Sequence, residues 1–104
     1  MPQSDAEAAK WWRKAADQGH WDAQYHLGLA YYNGEGVQQS YAEALKWWMK
    51  AADQDHWEAQ CRLGLMYRDG IGVEQSYAEA EKWFRKAADQ GSEEAQLALD
   101  SICE

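Results

Sequence analysis

Basic residues, cysteines and long apolar runs are all scarce in this chain. Lysine and arginine number 10 against 18 aspartates and glutamates, for a net charge of −8. Affinity for a duplex or an anionic bilayer comes largely from neutralised phosphates, so neither nucleic acid nor a membrane surface is expected as a partner. No stretch approaches the ~20 apolar residues of a transmembrane helix. The start, Met1-Pro2-Gln3-Ser4-Asp5, has neither the basic region nor the apolar segment of a signal peptide, which leaves the compartment unknown with the cytoplasm as the default. The two cysteines, Cys61 and Cys103, form no CxxC pair, and neither a redox motif nor a zinc knuckle is readable. A domain of this length does not need a disulfide. Isoleucine, valine and phenylalanine are also few. Mean hydropathy is −0.82 although 46% of residues are hydrophobic, because alanine, tryptophan and tyrosine supply most of them. That composition suits helices packed through small residues.

What is present is repetition. Residues 6–41 and 42–77 agree at 25 of 36 positions without a gap, and a third, shorter copy begins at Ala78. Self-similarity at a fixed period of this size is the mark of stacked, equivalent units. Each unit reads as two helices. Ser4, Ser40 and Ser76, each followed three residues later by glutamate, fit the capping box, in which the hydroxyl accepts a backbone N–H and the glutamate reaches back. Helices of this first type run to Asp17, Asp53 and Asp89, where Gly19 and Gly91 can take the left-handed stop conformation. Asp55 stands in that place in the middle copy, at a cost of about 1 kcal/mol if the conformation is kept. Helices of the second type are expected from Trp21 to Asn33, Trp57 to Asp69 and Glu93 to about Cys103, with His20 and His56 as capping residues. The predicted architecture is all-α: six helices in about two and a half repeats, stacked as a right-handed solenoid of antiparallel hairpins.

Spacing assigns the faces. Ala8, Trp12 and Ala15 fall at i, i+4 and i+7, as do Ala44, Trp48, Ala51 and Ala80, Phe84, Ala87. In the second helix type Ala23, Leu27, Gly28 and Tyr31 share a face, repeated as Ala59, Leu63, Gly64 and Tyr67. Large rings alternating with alanine and glycine let helices approach closely, ring into gap. Trp11, Trp47 and Trp83 should cover the seams between units. Trp21 and Trp57 are expected to pack against the loop of the preceding hairpin, with an exposed contact patch as the alternative.

The strings AQYHLGLAYYNGEGV and AEALKWWMKAADQ resemble the Sel1-like repeat family, a 36-residue relative of the tetratricopeptide repeat, over nearly the whole chain. In that family a unit begins with the A-Q helix and ends with the K-W-W helix. The single repeat domain 1–104 then divides into a leading half-repeat 4–18, repeat one 20–55, repeat two 56–91 and a trailing half-repeat 92–104. Asp100 and Cys103, in the places of Gly28 and Tyr31, depart from the pattern and suggest a terminal cap or the edge of a fragment. The resemblance implies that the A-Q helices line a concave groove and that the chain is an adaptor or scaffold for a protein or peptide. Alternatives are a hydrolytic enzyme, as proposed for some bacterial relatives, a structural piece of a longer solenoid, or self-association through the solenoid ends.

Residues of the A-Q helices turned away from the packing stripe are the candidate partner-binding set: Asp22, Tyr25, His26, Leu29, Tyr32, Asn33, Glu58, Cys61, Arg62, Leu65, Arg68, Asp69, Glu94 and Leu97. Tyr25, Leu29, Leu65 and Leu97 offer an apolar strip. Arg62 and Arg68 could clamp a carboxylate bidentately, unless they pair within their helix with Glu58 and Asp69. No catalytic residue, metal site or cofactor is expected. His26 has no second histidine at metal spacing, no nucleophile elbow, P-loop or Rossmann glycine pattern occurs, and no base lies near either cysteine in sequence.

Overall fold

The computed structural model describes residues 5–102, and the serine cap expected at Ser4 and the residues from Cys103 onward lie outside them. The described chain forms six helices: α1 Asp5–Asp17, α2 Trp21–Asn33, α3 Tyr41–Ala52, α4 Trp57–Asp69, α5 Tyr77–Asp89 and α6 Glu93–Ile102. Each packs chiefly on its neighbours in the chain, and the pairs α2 with α3 and α4 with α5 pack most extensively. The resulting α-solenoid is elongated, 46 × 25 × 23 Å.

Starts and stops follow the local chemistry. Ser40 and Ser76 accept the N–H of Glu43 and Glu79 at 3.2 Å. The reciprocal half of the capping box is not made. The N–H groups of Ser40 and Ser76 go instead to the carbonyls of Tyr31 and Tyr67 at 2.9 Å, while Glu43 and Glu79 turn outward to Lys46 and Lys82. Asp55 keeps the left-handed turn at φ 67, beside φ 90 at Gly19 and φ 95 at Gly91.

The core is built ring into gap. Trp48, 1% exposed, lies against Gly28, where an added Cβ would stand 2.3 Å from its Nε1 atom. Phe84 lies against Gly64 in the same way, at 2.6 Å. The Trp48 indole N–H donates to the carbonyl of Tyr25 at 3.0 Å, so the closest approach also satisfies a buried donor. Burying a ring of this size removes on the order of 200 Å² from water, worth about 5 kcal/mol.

The other seam rings divide by position. Trp47 is buried with Ala16, Ala23 and Leu27, on the preceding helix pair, and Trp83 is buried with Ala52, Ala59 and Leu63. Trp11 is 59% exposed, because among the described residues no helix pair precedes α1 to cover it. Trp12, expected in the core, is only half-buried and stacks on His26 with centroids 5.2 Å apart.

Candidate functional site

The A-Q helices α2, α4 and α6 carry the candidate residues, and the structure sorts them by access. Tyr25 and Cys61 are buried and offer no surface to a partner. Both sit at the same place in successive units, one residue before a more exposed polar side chain, and both meet the start of the next A-Q helix, Tyr25 at His56 and Cys61 at Ser92. Leu29, Tyr32, Leu65 and Arg68 are half-buried, and Asp22, Asn33, Glu58, Arg62, Asp69, Glu94 and Leu97 are exposed. Asp22 lies 3.7 Å from the imidazole of His26, and the Asn33 side-chain amide donates to Glu35 at 3.0 Å.

The two arginines differ. Arg68 is forked onto the Asp69 carboxylate, Nε–Oδ1 3.0 Å and the second nitrogen to Oδ2 3.3 Å. That hydrogen bond raises its pKa above the ordinary arginine value, and the guanidinium is occupied. Arg62 does not pair with Glu58. Its Nε atom lies 3.5 Å from the Tyr25 hydroxyl of the preceding unit. Burial opposes its charge, but the Tyr25 hydroxyl and the more distant Glu94 carboxylate outweigh it, and the net shift is upward. Arg62 therefore remains a charged fork with no carboxylate ion pair among the described residues.

Behind these residues runs a chain of rings. The Tyr25 ring centroid lies 5.7 Å from His26, 4.8 Å from His56 and 6.4 Å from Trp48. Tyr32 continues it, 5.4 Å from Trp48 and 5.1 Å from Tyr41. Trp21 and Trp57 are 47% and 40% exposed. Trp21 lies forward, 4.6 Å from the imidazole of His56 at the start of the next A-Q helix.

His56 is the capping residue expected at that helix start, and its Nδ1 accepts the N–H of Ala59 at 3.1 Å. His20, which is exposed, makes no such bond. Burial lowers the His56 pKa below its ordinary value, against the raising fields of Glu58 and Asp22 and with the lowering field of His26. A depressed histidine pKa means that the unfolded chain binds the proton first. The stability it contributes is present above the unfolded value of about 6.5 and is lost as pH falls below it toward the folded value. Thermal unfolding followed from about pH 7 to pH 5 should show the midpoint dropping more steeply in the parent than in His56→Asn, which keeps a capping oxygen but does not titrate. Equal slopes would remove His56 from the acid response.

The Cys61 thiol is buried and disfavours its charged form. Its sulfur lies 3.6 Å from the Ser92 hydroxyl, and burial raises the thiol pKa, the opposite of what an attacking thiolate requires. Among the described residues no group of three or more histidine, cysteine, aspartate or glutamate side chains is placed to hold a metal ion. No described helix is long and apolar enough to cross a membrane.

A family model described as Sel1 repeat matches residues 1–20, 21–56 and 57–92. The chain belongs to the Sel1 repeat family. Solved structures agree. A Sel1 repeat protein from Oxalobacter formigenes is 38% identical with a TM-score of 0.91, over 95% of this chain and 41% of its own length. The protective antigen c5321 of uropathogenic Escherichia coli, described as displaying an SLR fold, is 35% identical with a TM-score of 0.92, over 95% of this chain and 21% of its own. Helicobacter pylori cysteine rich protein B is 28% identical with a TM-score of 0.83, over 88% of this chain and 68% of its own. This chain thus spans less than half the length of the first two. No curated protein sequence matches it.

The Sel1 units also contain a polar relay that sequence spacing did not expose. Gln24, buried, donates to the Ala16 carbonyl at 3.3 Å and accepts from Gln54 at 2.9 Å. Gln60 repeats this on Ala52 at 3.1 Å and Gln90 at 2.8 Å. The signal available was the invariance of Gln24 and Gln60 between units at a position that the apolar period places inside. Each buried amide adds a second donor to a helix-end carbonyl that already accepts the turn N–H of Gly19 or Asp55, and so satisfies its own buried polar group.

Proposed function

We propose that this Sel1 repeat chain is a protein-interaction scaffold that binds a peptide or a partner's extended segment in the groove along α2, α4 and α6. Sel1 repeat proteins are typically scaffolds of this class. The observation that carries the finer reading is Arg62, a charged guanidinium on that face with no carboxylate ion pair among the described residues, in a chain with 18 acids and 10 bases. Beside it the half-buried Leu65 and the exposed Leu97 supply apolar contact. A segment ending in a carboxylate, or carrying an acidic side chain next to an apolar one, fits that combination. The buried thiol of Cys61, its pKa raised by burial, argues for binding rather than hydrolysis. Stacking of copies end to end in the register of the array would bring Trp12 of one onto Asp100 of another, where Gly28 and Gly64 admit rings, and this weighs against self-association.

A peptide with a free C-terminus, selected against the protein from a random library, provides the test. Arg62→Ala should weaken its binding by about 1.5 to 3 kcal/mol, the worth of a charge-assisted hydrogen bond. Arg68→Ala should weaken it less, because Asp69 already holds that fork. Lys46→Gln, on the K-W-W helix, removes the same charge from the other side, and exposed charges beyond ~8 Å are screened at physiological salt. If Lys46→Gln costs as much as Arg62→Ala, the groove assignment is wrong.

A further inference from the structure

The three A-Q helices begin with different chemistry at one position of the unit. His20, before α2, is exposed and makes no side-chain cap. Ser92, before α6, caps with a hydroxyl that accepts the Ala95 N–H at 3.1 Å. His56, before α4, caps with an imidazole nitrogen that accepts the Ala59 N–H at 3.1 Å, and it is 8% exposed. A serine hydroxyl keeps its lone pairs across the neutral and mildly acidic range, whereas an imidazole nitrogen accepts only while it carries no proton. Among the described residues, the joint between repeats one and two is thus the one whose helix cap can titrate.

The same ring helps to join the two units. Helices α2 and α4 pack less on each other than each does on α3. His56 bridges them, its centroid 4.6 Å from Trp21 and 4.8 Å from Tyr25, with both rings tilted to it. Tyr25 also meets α4 through its hydroxyl, 3.5 Å from the Nε atom of Arg62. The end of α3 contributes the Ala51 carbonyl, which accepts the His56 backbone N–H at 3.2 Å. Charged groups act on the imidazole from both A-Q helices. Asp22 of α2 and Glu58 of α4 favour its cation, and His26 of α2 opposes it, while Asp55, beside it in the chain, is exposed. No carboxylate is in an ion pair with His56 among the described residues, and Asp22 lies 3.7 Å from His26 instead.

We infer that His56 is a proton-operated latch between repeats one and two: on taking up a proton it releases the Ala59 N–H, gives up its contacts with Trp21 and Tyr25, and frees the first turn of α4 while both hairpins stay helical. Protonation turns Nδ1 from an acceptor into a donor, which then faces the Ala59 N–H donor to donor. The new cation also stands at the positive end of the α4 dipole. Turning the ring toward Asp22 or Glu58 relieves both conflicts, and it breaks the ring contacts that hold α2 to α4. The joint at Ser92 has no such response. The latch acts whether or not the Arg62 groove binds a peptide, so either can fail without the other.

Amide exchange of the full chain, followed residue by residue by NMR from about pH 7.5 to about pH 5, provides the test. Ala95 is the internal reference, since acid slows the intrinsic exchange of every amide alike. The ratio of the Ala59 rate to the Ala95 rate should rise about tenfold on acidification, the size of a lost N-cap. Its midpoint should coincide with that of the His56 ring C–H resonances, and the Trp21 indole N–H resonance should move with them. His56→Ser should hold the ratio flat, because a serine caps the corresponding helix at Ser92 without titrating. Circular dichroism checks that this variant folds, and His56→Asn, which also caps without titrating, takes its place if it does not. A flat ratio in the parent, a rise that survives removal of the imidazole, or one-step unfolding of the whole chain before Ala59 responds would each overturn the latch.

Discussion

Trp48→Ala should cost about 3 to 5 kcal/mol of unfolding free energy, the range for deleting a large buried ring, while Trp57→Ala should cost under about 1 kcal/mol, as for a surface change. Trp48 is 1% exposed and touches both hairpins: it fills the gap at Gly28 and packs in the cluster of Ala44, Ala51, Leu63 and Met66. Its loss leaves a cavity and also removes the indole N–H bond to the Tyr25 carbonyl. Trp57 is 40% exposed and lies beside the start of α6. Denaturant unfolding of the two variants, compared at constant m-value, measures both. Equal, large losses would show that Trp57 is a core residue.

The fold was legible because the same instructions are written more than once. Ser40 and Ser76 cap as their S-x-x-E spacing implies, and the apolar faces Ala44-Trp48-Ala51 and Ala80-Phe84-Ala87 are buried throughout. A repeat also hides its exceptions, since an equivalent residue need not have equivalent neighbours. Trp11 and Trp47 occupy one position in the unit, yet among the described residues only Trp47 is covered by a helix pair before it. His20 and His56 diverge likewise, because only His56 lies between the rings of Trp21 and Tyr25. The candidate site was less legible for a related reason. Period 3.6 says which residues leave their own hairpin's core, not which the next unit covers. Tyr25 and Cys61 pass the first criterion and fail the second. Arg68 was readable as paired, since Asp69 adjoins it. The contact of Arg62 with Tyr25 spans 37 residues and could not be read from spacing.

Gly28→Ala gives the sharpest test of ring-into-gap packing. In an exposed helix this change would gain about 1 kcal/mol from propensity. Here the new methyl would lie 2.3 Å from Trp48 Nε1 and 2.4 Å from its Cδ1. The indole has little freedom to yield, being buried and held by its bond to the Tyr25 carbonyl. Overpacking of this kind costs about 1 to 3 kcal/mol, and displacing the indole hydrogen bond adds about 1 kcal/mol, so a net loss near 2 kcal/mol is expected. The sign should reverse when the ring is gone. On the Trp48→Ala background the methyl enters the space the indole filled, and Gly28→Ala should then be neutral or stabilising by up to about 1 kcal/mol. A four-protein unfolding cycle therefore should yield a coupling of about 2 to 3 kcal/mol, where distant sites add to within a few tenths. The same cycle on Gly64 and Phe84, where the built Cβ stands 2.6 Å from the ring, should reproduce it at somewhat smaller size. Additive losses in both cycles would mean that each glycine is required by its own backbone, and the rings would not be what sets the spacing between helices.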